Sequence, residues 1–155
     1  MSILKEVPRT SYVLPTDRLH AYVDGSGRRA EATGPGPHEG DVRPAFGVVF
    51  LVEREGQHLL HGMIGLRIEQ VLPMQPMIQY ETSNVGEALA MLTATLWIGQ
   101  VCPGMEAQIT ADSQLVLAAA QRQSFPSMHP KLLTALDAVT RCVQCTHRLS
   151  YAHTE

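Results

Sequence analysis

The stretch "AFGVVFLVEREGQHLLHGMIGL" (45–66) constrains this chain more than any other. Residues 45–53 are dense in β-branched and aromatic side chains, which favour a pleated, half-buried strand. "REGQ" supplies a hairpin turn, and "HLLHGMIGL" (58–66) pairs back as a further strand. A hairpin alone is marginal in water, so these strands must belong to a larger sheet.

The rest of the chain supplies that sheet. Residues 1–18 read as an irregular N-terminal arm carrying Pro8 and Pro15. A first strand is expected from about Leu19 to Asp24, on the alternation of Leu19, Ala21 and Val23. Residues 25–44 hold five glycines and three prolines and read as a long exposed loop. In 67–83, Pro73 and Pro76 forbid a continuous helix. From Asn84 the pattern turns helical, and Ala88, Leu89, Met91, Leu92, Ala94, Leu96 and Trp97 cover most of the helix surface. This helix is therefore expected to be largely buried, with Ser83 or Asn84 as its N-cap. "MEAQITAD" (105–112) predicts a fourth strand, 113–123 a helix and His129–Arg141 another. "CVQCTHRLSYAH" predicts a fifth strand. The order β-β-β-α-β-α-α-β implies one α/β domain over 19–155. Its mixed five-stranded sheet would be an antiparallel meander followed by parallel strands reached through helical crossovers.

Charge and apolar runs narrow the function. Twelve basic and 15 acidic residues leave a formal charge of −3. A free-standing nucleic-acid binder needs a basic surface to neutralise phosphates, so tight autonomous binding is not expected. No apolar run approaches the roughly 18 residues of a membrane helix, and no signal-peptide stretch opens the chain. An intracellular, cytoplasmic or nuclear setting, not a secreted one, is the expectation. Cys142 and Cys145 form a C-x-x-C with His147 nearby, but Cys102 is the only other cysteine. A closed zinc site wants four ligands in paired sets, so ordinary reduced cysteines are the better reading.

Three carboxylates fall at similar structural places. Asp24 ends the first strand, Glu87 lies in the first turn of the buried helix, and Asp112 ends the fourth strand. Each has an ordinary role open to it: Asp24 as a turn residue, Glu87 favouring a helix N-terminus, Asp112 as an N-cap. Together they point elsewhere. Ligand sites in α/β sheets gather at the carboxyl ends of parallel strands, and a helix crossing the sheet could bring Glu87 there. Three carboxylates in one place repel one another, a problem that a hard divalent cation resolves. Glu81 is the rival to Glu87, but it belongs to the segment before the helix, so Glu87 is expected to face the site.

In these blocks the chain resembles the ribonuclease H family. "YVDGS" matches a strand ending in D-G-S. "TSNVGE" keeps Thr82, Asn84 and Glu87 of T-N-N-x-x-E, and "TADSQLVL" matches a strand followed by D-S-Q and a helix. The resemblance covers roughly residues 19–153. It implies endonucleolytic hydrolysis of the RNA strand of RNA–DNA hybrids with two Mg²⁺ (or Mn²⁺) ions, held by Asp24, Glu87 and Asp112 about 3.5–4 Å apart. It further implies that His153 assists proton transfer or product release. Gly25, Ser26, Asn84 and Gln114 would contact the substrate.

The departures from the family matter too. "QRQSFPSMHPK" lacks the basic handle with which free-standing bacterial members grip the hybrid. The family's fourth carboxylate lies on a helix beyond the histidine, and this sequence stops at Glu155. The expectation is a domain cut at its boundary or an incomplete site, with weak activity from this chain alone. The acidic balance suggests affinity borrowed from a tethered reverse transcriptase or polymerase, as in retroelements. Two other readings remain: a catalytically weak or inactive binding scaffold, and a related DNA-acting nuclease or integrase of the same fold.

Overall fold

The computed structural model describes residues 7–26, 45–68, 83–101, 103–112, 114–121 and 130–154. Five strands form one sheet in the order β3-β2-β1-β4-β5. The strands are β1 (Arg18–Ser26), β2 (Ala45–Arg54), β3 (Gln57–Arg67), β4 (Glu106–Ala111) and β5 (Arg148–His153). β1, β2 and β3 form the antiparallel meander, while β4 runs parallel to β1 and β5 parallel to β4. Three helices complete the order: α1 (Ser83–Gln100), α2 (Gln114–Ala120) and α3 (Pro130–Gln144). The mixed sheet and the element order are those expected from the sequence.

The β2–β3 turn shows why "REGQ" reverses the chain. Glu55 and Gly56 both adopt positive φ, 54° and 77°, the combination that matches the twist of a two-residue hairpin. Beyond the turn, burial alternates along β2, with Phe46, Val48, Phe50 and Val52 inside. Across β1 they face Val23, Ala21 and Leu19 in register. These residues form one side of the core, and α1 lies over them. Ala88, Ala90 and Ala94 of α1 are buried beside Leu89, Met91 and Ile98. Small side chains let the helix approach closely, which a strand face of Leu and Val then fills. Thr95 is wholly buried and donates its hydroxyl to the Met91 carbonyl, so the helix satisfies its own polar group.

Helix α3 runs to Gln144, beyond the Arg141 expected, and β5 begins at Arg148. Leu132, Leu136, Thr140 and Val143 are all buried, a helical period that carries the element through Cys142 and Val143. The expected strand start at Cys142 is thereby corrected. Cys142 sits in the last turn of α3 and Cys145 just after it, both as exposed free thiols. Cys102 lies outside the described residues.

The described part of the N-terminal arm docks on the sheet. Leu60 N–H donates to the Pro8 carbonyl at 2.7 Å, and Thr10 N–H to the Leu60 carbonyl at 3.0 Å. Asp17 is buried and takes a two-point contact from Arg54 of β2, Nε to Oδ1 at 2.9 Å and Nη2 to Oδ2 at 2.7 Å. The segments 27–44 and 69–82, read as a long loop and a proline-interrupted stretch, lie outside the described residues. No helix among the described residues is long and apolar enough to cross a membrane.

Candidate metal centre

Register brings two of the three carboxylates together. β1 and β4 are parallel and pair Val23 with Ala111. Asp24 and Asp112 follow Val23 and Ala111 directly, so they stand side by side at the carboxyl end of the parallel pair. The third carboxylate comes from the helix that covers the sheet. Glu87 lies in the first turns of α1 and is buried, whereas Asp24 and Asp112 are exposed at the rim. One carboxylate oxygen from each of Asp24, Glu87 and Asp112 lies within 4.8 Å of the others.

Gly25 is what allows this approach. A Cβ at that position would stand 2.3 Å from the Glu87 nitrogen, 2.5 Å from the Gly86 carbon and 2.8 Å from Glu87 Cγ. No side chain fits there, so the end of β1 lies directly against the backbone of the first turns of α1. The family resemblance implies a substrate contact for Gly25; the structure shows a packing role that sets the distance from Asp24 to Glu87. Gly86 was not singled out from the sequence. A glycine just inside a helix start, placed opposite a D-G, is the signal that could have found it.

The electrostatics follow from crowding. Partial desolvation of its carboxyl group raises the Asp24 pKa from its ordinary value, the Asp112 charge raises it further, and the Gly25 N–H opposes both. Carboxylates brought this close favour a proton or a cation. The donor set is three carboxylates, with hard oxygen ligands at a partly exposed rim, and it fits Mg²⁺ or Mn²⁺.

His153 stands at the neighbouring strand end. It is the last residue of β5 and pairs with Ala111 in register. Its Nε2 lies 3.1 Å from the Asp112 carbonyl. As the carbonyl can only accept, Nε2 carries the proton in this contact and Nδ1 is left as an acceptor. Among the other residues expected at the site, Ser26 ends β1, Asn84 is the second residue of α1 and Gln114 opens α2. Glu81 lies outside the described residues, as does Glu155.

No family model matches the chain, and no curated protein matches it. Solved structures do. The chain is similar to the N-terminal RNase H domain of a Mycobacterium tuberculosis protein, in a fusion with maltose-binding protein. The identity is 18%, the TM-score 0.56, and the match covers 89% of this chain and 87% of that one. It is also similar to LC11-RNase H1, from compost, in complex with an RNA/DNA hybrid: 17% identity, TM-score 0.54, 88% and 85% covered. A third similar structure is the prototype foamy virus protease–reverse transcriptase, at 13% identity and TM-score 0.55. There the match covers 94% of this chain but 18% of that one. With its five-stranded mixed sheet and flanking helices, the chain has the ribonuclease H fold.

Proposed function

We propose that this chain is a metal-dependent endonuclease that hydrolyses the RNA strand of RNA–DNA hybrids. The observation that carries the reading is the meeting of Asp24, Glu87 and Asp112 within 4.8 Å at the carboxyl ends of parallel strands in this fold. That a similar structure holds an RNA/DNA hybrid supports the choice of substrate. Asp24, Glu87 and Asp112 would hold two Mg²⁺ or Mn²⁺ ions. When bound, such ions supply an activated water and charge stabilisation for the leaving oxygen of an in-line displacement.

The chain's own residues do the remaining work. Asp24 ends β1 beside Asp112 and against the start of α1 that carries Glu87, so it would be the carboxylate best placed to serve both ions. Buried Glu87 is fixed by the contact between its own backbone and Gly25. His153 keeps Nε2 on the Asp112 carbonyl and offers Nδ1 to accept a proton or pass one out of the site. Asn84, the second residue of α1, and Gln114, the first of α2, would supply neutral hydrogen-bonding groups. Such groups suit the 2′-hydroxyls and base edges of a hybrid's minor groove. The backbone at Gly25 and Ser26 joins them. With a net charge of −3, affinity for the hybrid would come in part from a tethered polymerase, a reading supported by the match of this chain to 18% of the foamy virus protease–reverse transcriptase.

The test is a labelled RNA–DNA hybrid incubated with the chain in Mg²⁺, Mn²⁺ or EDTA. Metal-dependent cleavage of the RNA strand, lost in Asp24→Asn, is the expected result. Cleavage of duplex DNA instead would assign a DNA-acting nuclease. Absence of cleavage by the intact fold in either metal would leave a binding scaffold.

A further inference from the structure

Four residues before Asp24 on β1, at the far end of the strand, His20 lies beside Glu53 of β2 and His58 of β3. His20 Nε2 is 2.9 Å from Glu53 Oε1, and His58 Nε2 is 3.9 Å from the same oxygen. One ligand atom from each of the three lies within 4.8 Å of the others. The two imidazoles meet edge to face, with centroids 5.0 Å apart. Strand pairing explains the meeting. Glu53 pairs with His58 across β2–β3 and with Arg18 across β1–β2, which makes His20 its diagonal neighbour. His20 alternates with core-facing Leu19 and Ala21, so the cluster belongs to the sheet face turned away from α1. A groove along that face, lined by Arg18, His20, Glu106, Gln108, Arg148 and Ser150, opens it to solvent.

We propose that His20, Glu53 and His58 form a second metal site, separate from the carboxylate centre, which takes a transition-metal ion of the Zn²⁺ class. Two imidazoles and one carboxylate are donors that Zn²⁺ prefers and Mg²⁺ does not, and three protein ligands leave a position for water. Donor atoms on a tetrahedral Zn²⁺ at about 2.0–2.1 Å sit about 3.3 Å apart. The 2.9 and 3.9 Å separations bracket that value, so small rotations of the three side chains close the site. His58 is half exposed and Glu53 about one-third exposed, which leaves the ion an entry path.

A second observation sets His20 apart from an ordinary ion-pair histidine. Its side chain is only 10% exposed, and its Nδ1 is buried with no hydrogen-bond partner among the described residues. An unsatisfied buried nitrogen is costly, and an apolar residue would fill a strand position more cheaply. The retained imidazole is explained by what its other nitrogen does. Arg18, which also attracts Glu53 electrostatically, makes its hydrogen bonds to Glu106, to which both Nε and Nη2 donate. His20 foremost, through its hydrogen bond, holds the Glu53 carboxyl below its usual range.

The experiment is a Zn²⁺ titration of the full chain against a chromophoric chelator, with Tm read in parallel. It is run in a Cys142→Ser/Cys145→Ser background, so that the exposed thiols contribute nothing. One Zn²⁺ per chain is expected, with unchanged affinity when Asp24→Asn is added. His58→Gln should weaken binding by more than about a hundredfold, beyond the range that outer-shell changes give, and should abolish the Zn²⁺-induced rise in Tm. Because His58 is half exposed, that variant should keep the metal-free Tm of its parent. Glu53→Gln provides the second ligand test with the same expected loss. Equal Zn²⁺ affinity in parent, His58→Gln and Glu53→Gln would overturn the proposal. So would loss of binding on Asp24→Asn, which would move the ion to the carboxylate centre.

Discussion

Asp24 carries a carboxyl group whose proton affinity is raised by partial desolvation and then by Asp112. A raised folded-state pKa means that the neutral form suits the fold better. The ionised group therefore costs stability once pH rises past its unfolded value near 3.8, and the cost is complete above the folded pKa. Asp24→Asn is expected to raise Tm in EDTA at pH 7 by about 1–3 °C. Near pH 3 the two proteins should melt together, because both folded and unfolded states then hold the proton. Calorimetry across that pH range checks it, and a lower Tm for the variant at pH 7 would contradict the crowding. Under the proposed nuclease reading the same change should cut hybrid cleavage by about a thousandfold, as loss of a group acting on developing charge does. Gain in stability with loss of activity is the combined signature of a residue kept for chemistry.

Between elements, the junction of β1 with α1 controls the site. Gly25→Ala would place a methyl group 2.3 Å from the Glu87 nitrogen, and backbone on both sides leaves no flexible end to move. The expected cost is about 3 kcal/mol, at the top of the overpacking range, read as a lower urea midpoint at unchanged m-value. Cleavage should fall further than stability explains, because the helix start that carries Glu87 must shift away from Asp24. Unaltered stability would mean that the two backbones do not touch. The same scale shows why α3 outran its expected end. "CVQC" followed by alternating Leu149 and Tyr151 reads as one strand, yet Val143 lies at helical spacing from Leu136 and Thr140. A short apolar segment fits both periods, and burial against the neighbouring helix α1 decided between them.

At the level of the whole molecule, the Asp17–Arg54 contact ties the N-terminal arm to the sheet. Arg54 also lies 4.7 Å over the Tyr12 ring, and the Leu14 N–H donates to Asp17 Oδ2 at 2.8 Å. The Arg54 hydrogen bond holds the Asp17 pKa below its ordinary value. A depressed folded pKa contributes stability above the unfolded value of 3.8, and that stability is lost as pH falls through the folded pKa. Asp17→Ala removes the buried carboxylate that takes two hydrogen bonds from Arg54 and is expected to cost about 1.5–3 kcal/mol at pH 7. Denaturant melts should show the gap between variant and parent narrowing toward pH 2. A constant gap would assign the loss to packing alone.

Local chemistry on the sequence determined the strands, the buried helix and the β2–β3 turn. Alternation, helical period and a Glu-Gly pair each act over a few residues, within which neighbours along the chain dominate the energy. The three carboxylates were legible for a related reason: each sits at an element end, and element ends are marked by D-G, by a helix start and by D-S. Their meeting within 4.8 Å was decided only in three dimensions. It depends on the parallel register of Val23 with Ala111 and on a backbone contact at Gly25 that no local pattern encodes. His20 and Glu53 are 33 residues apart, and His58 joins them only because the hairpin register sets it opposite Glu53. Side chains on one sheet face become neighbours through strand pairing, and that pairing is chosen by the burial of the opposite face.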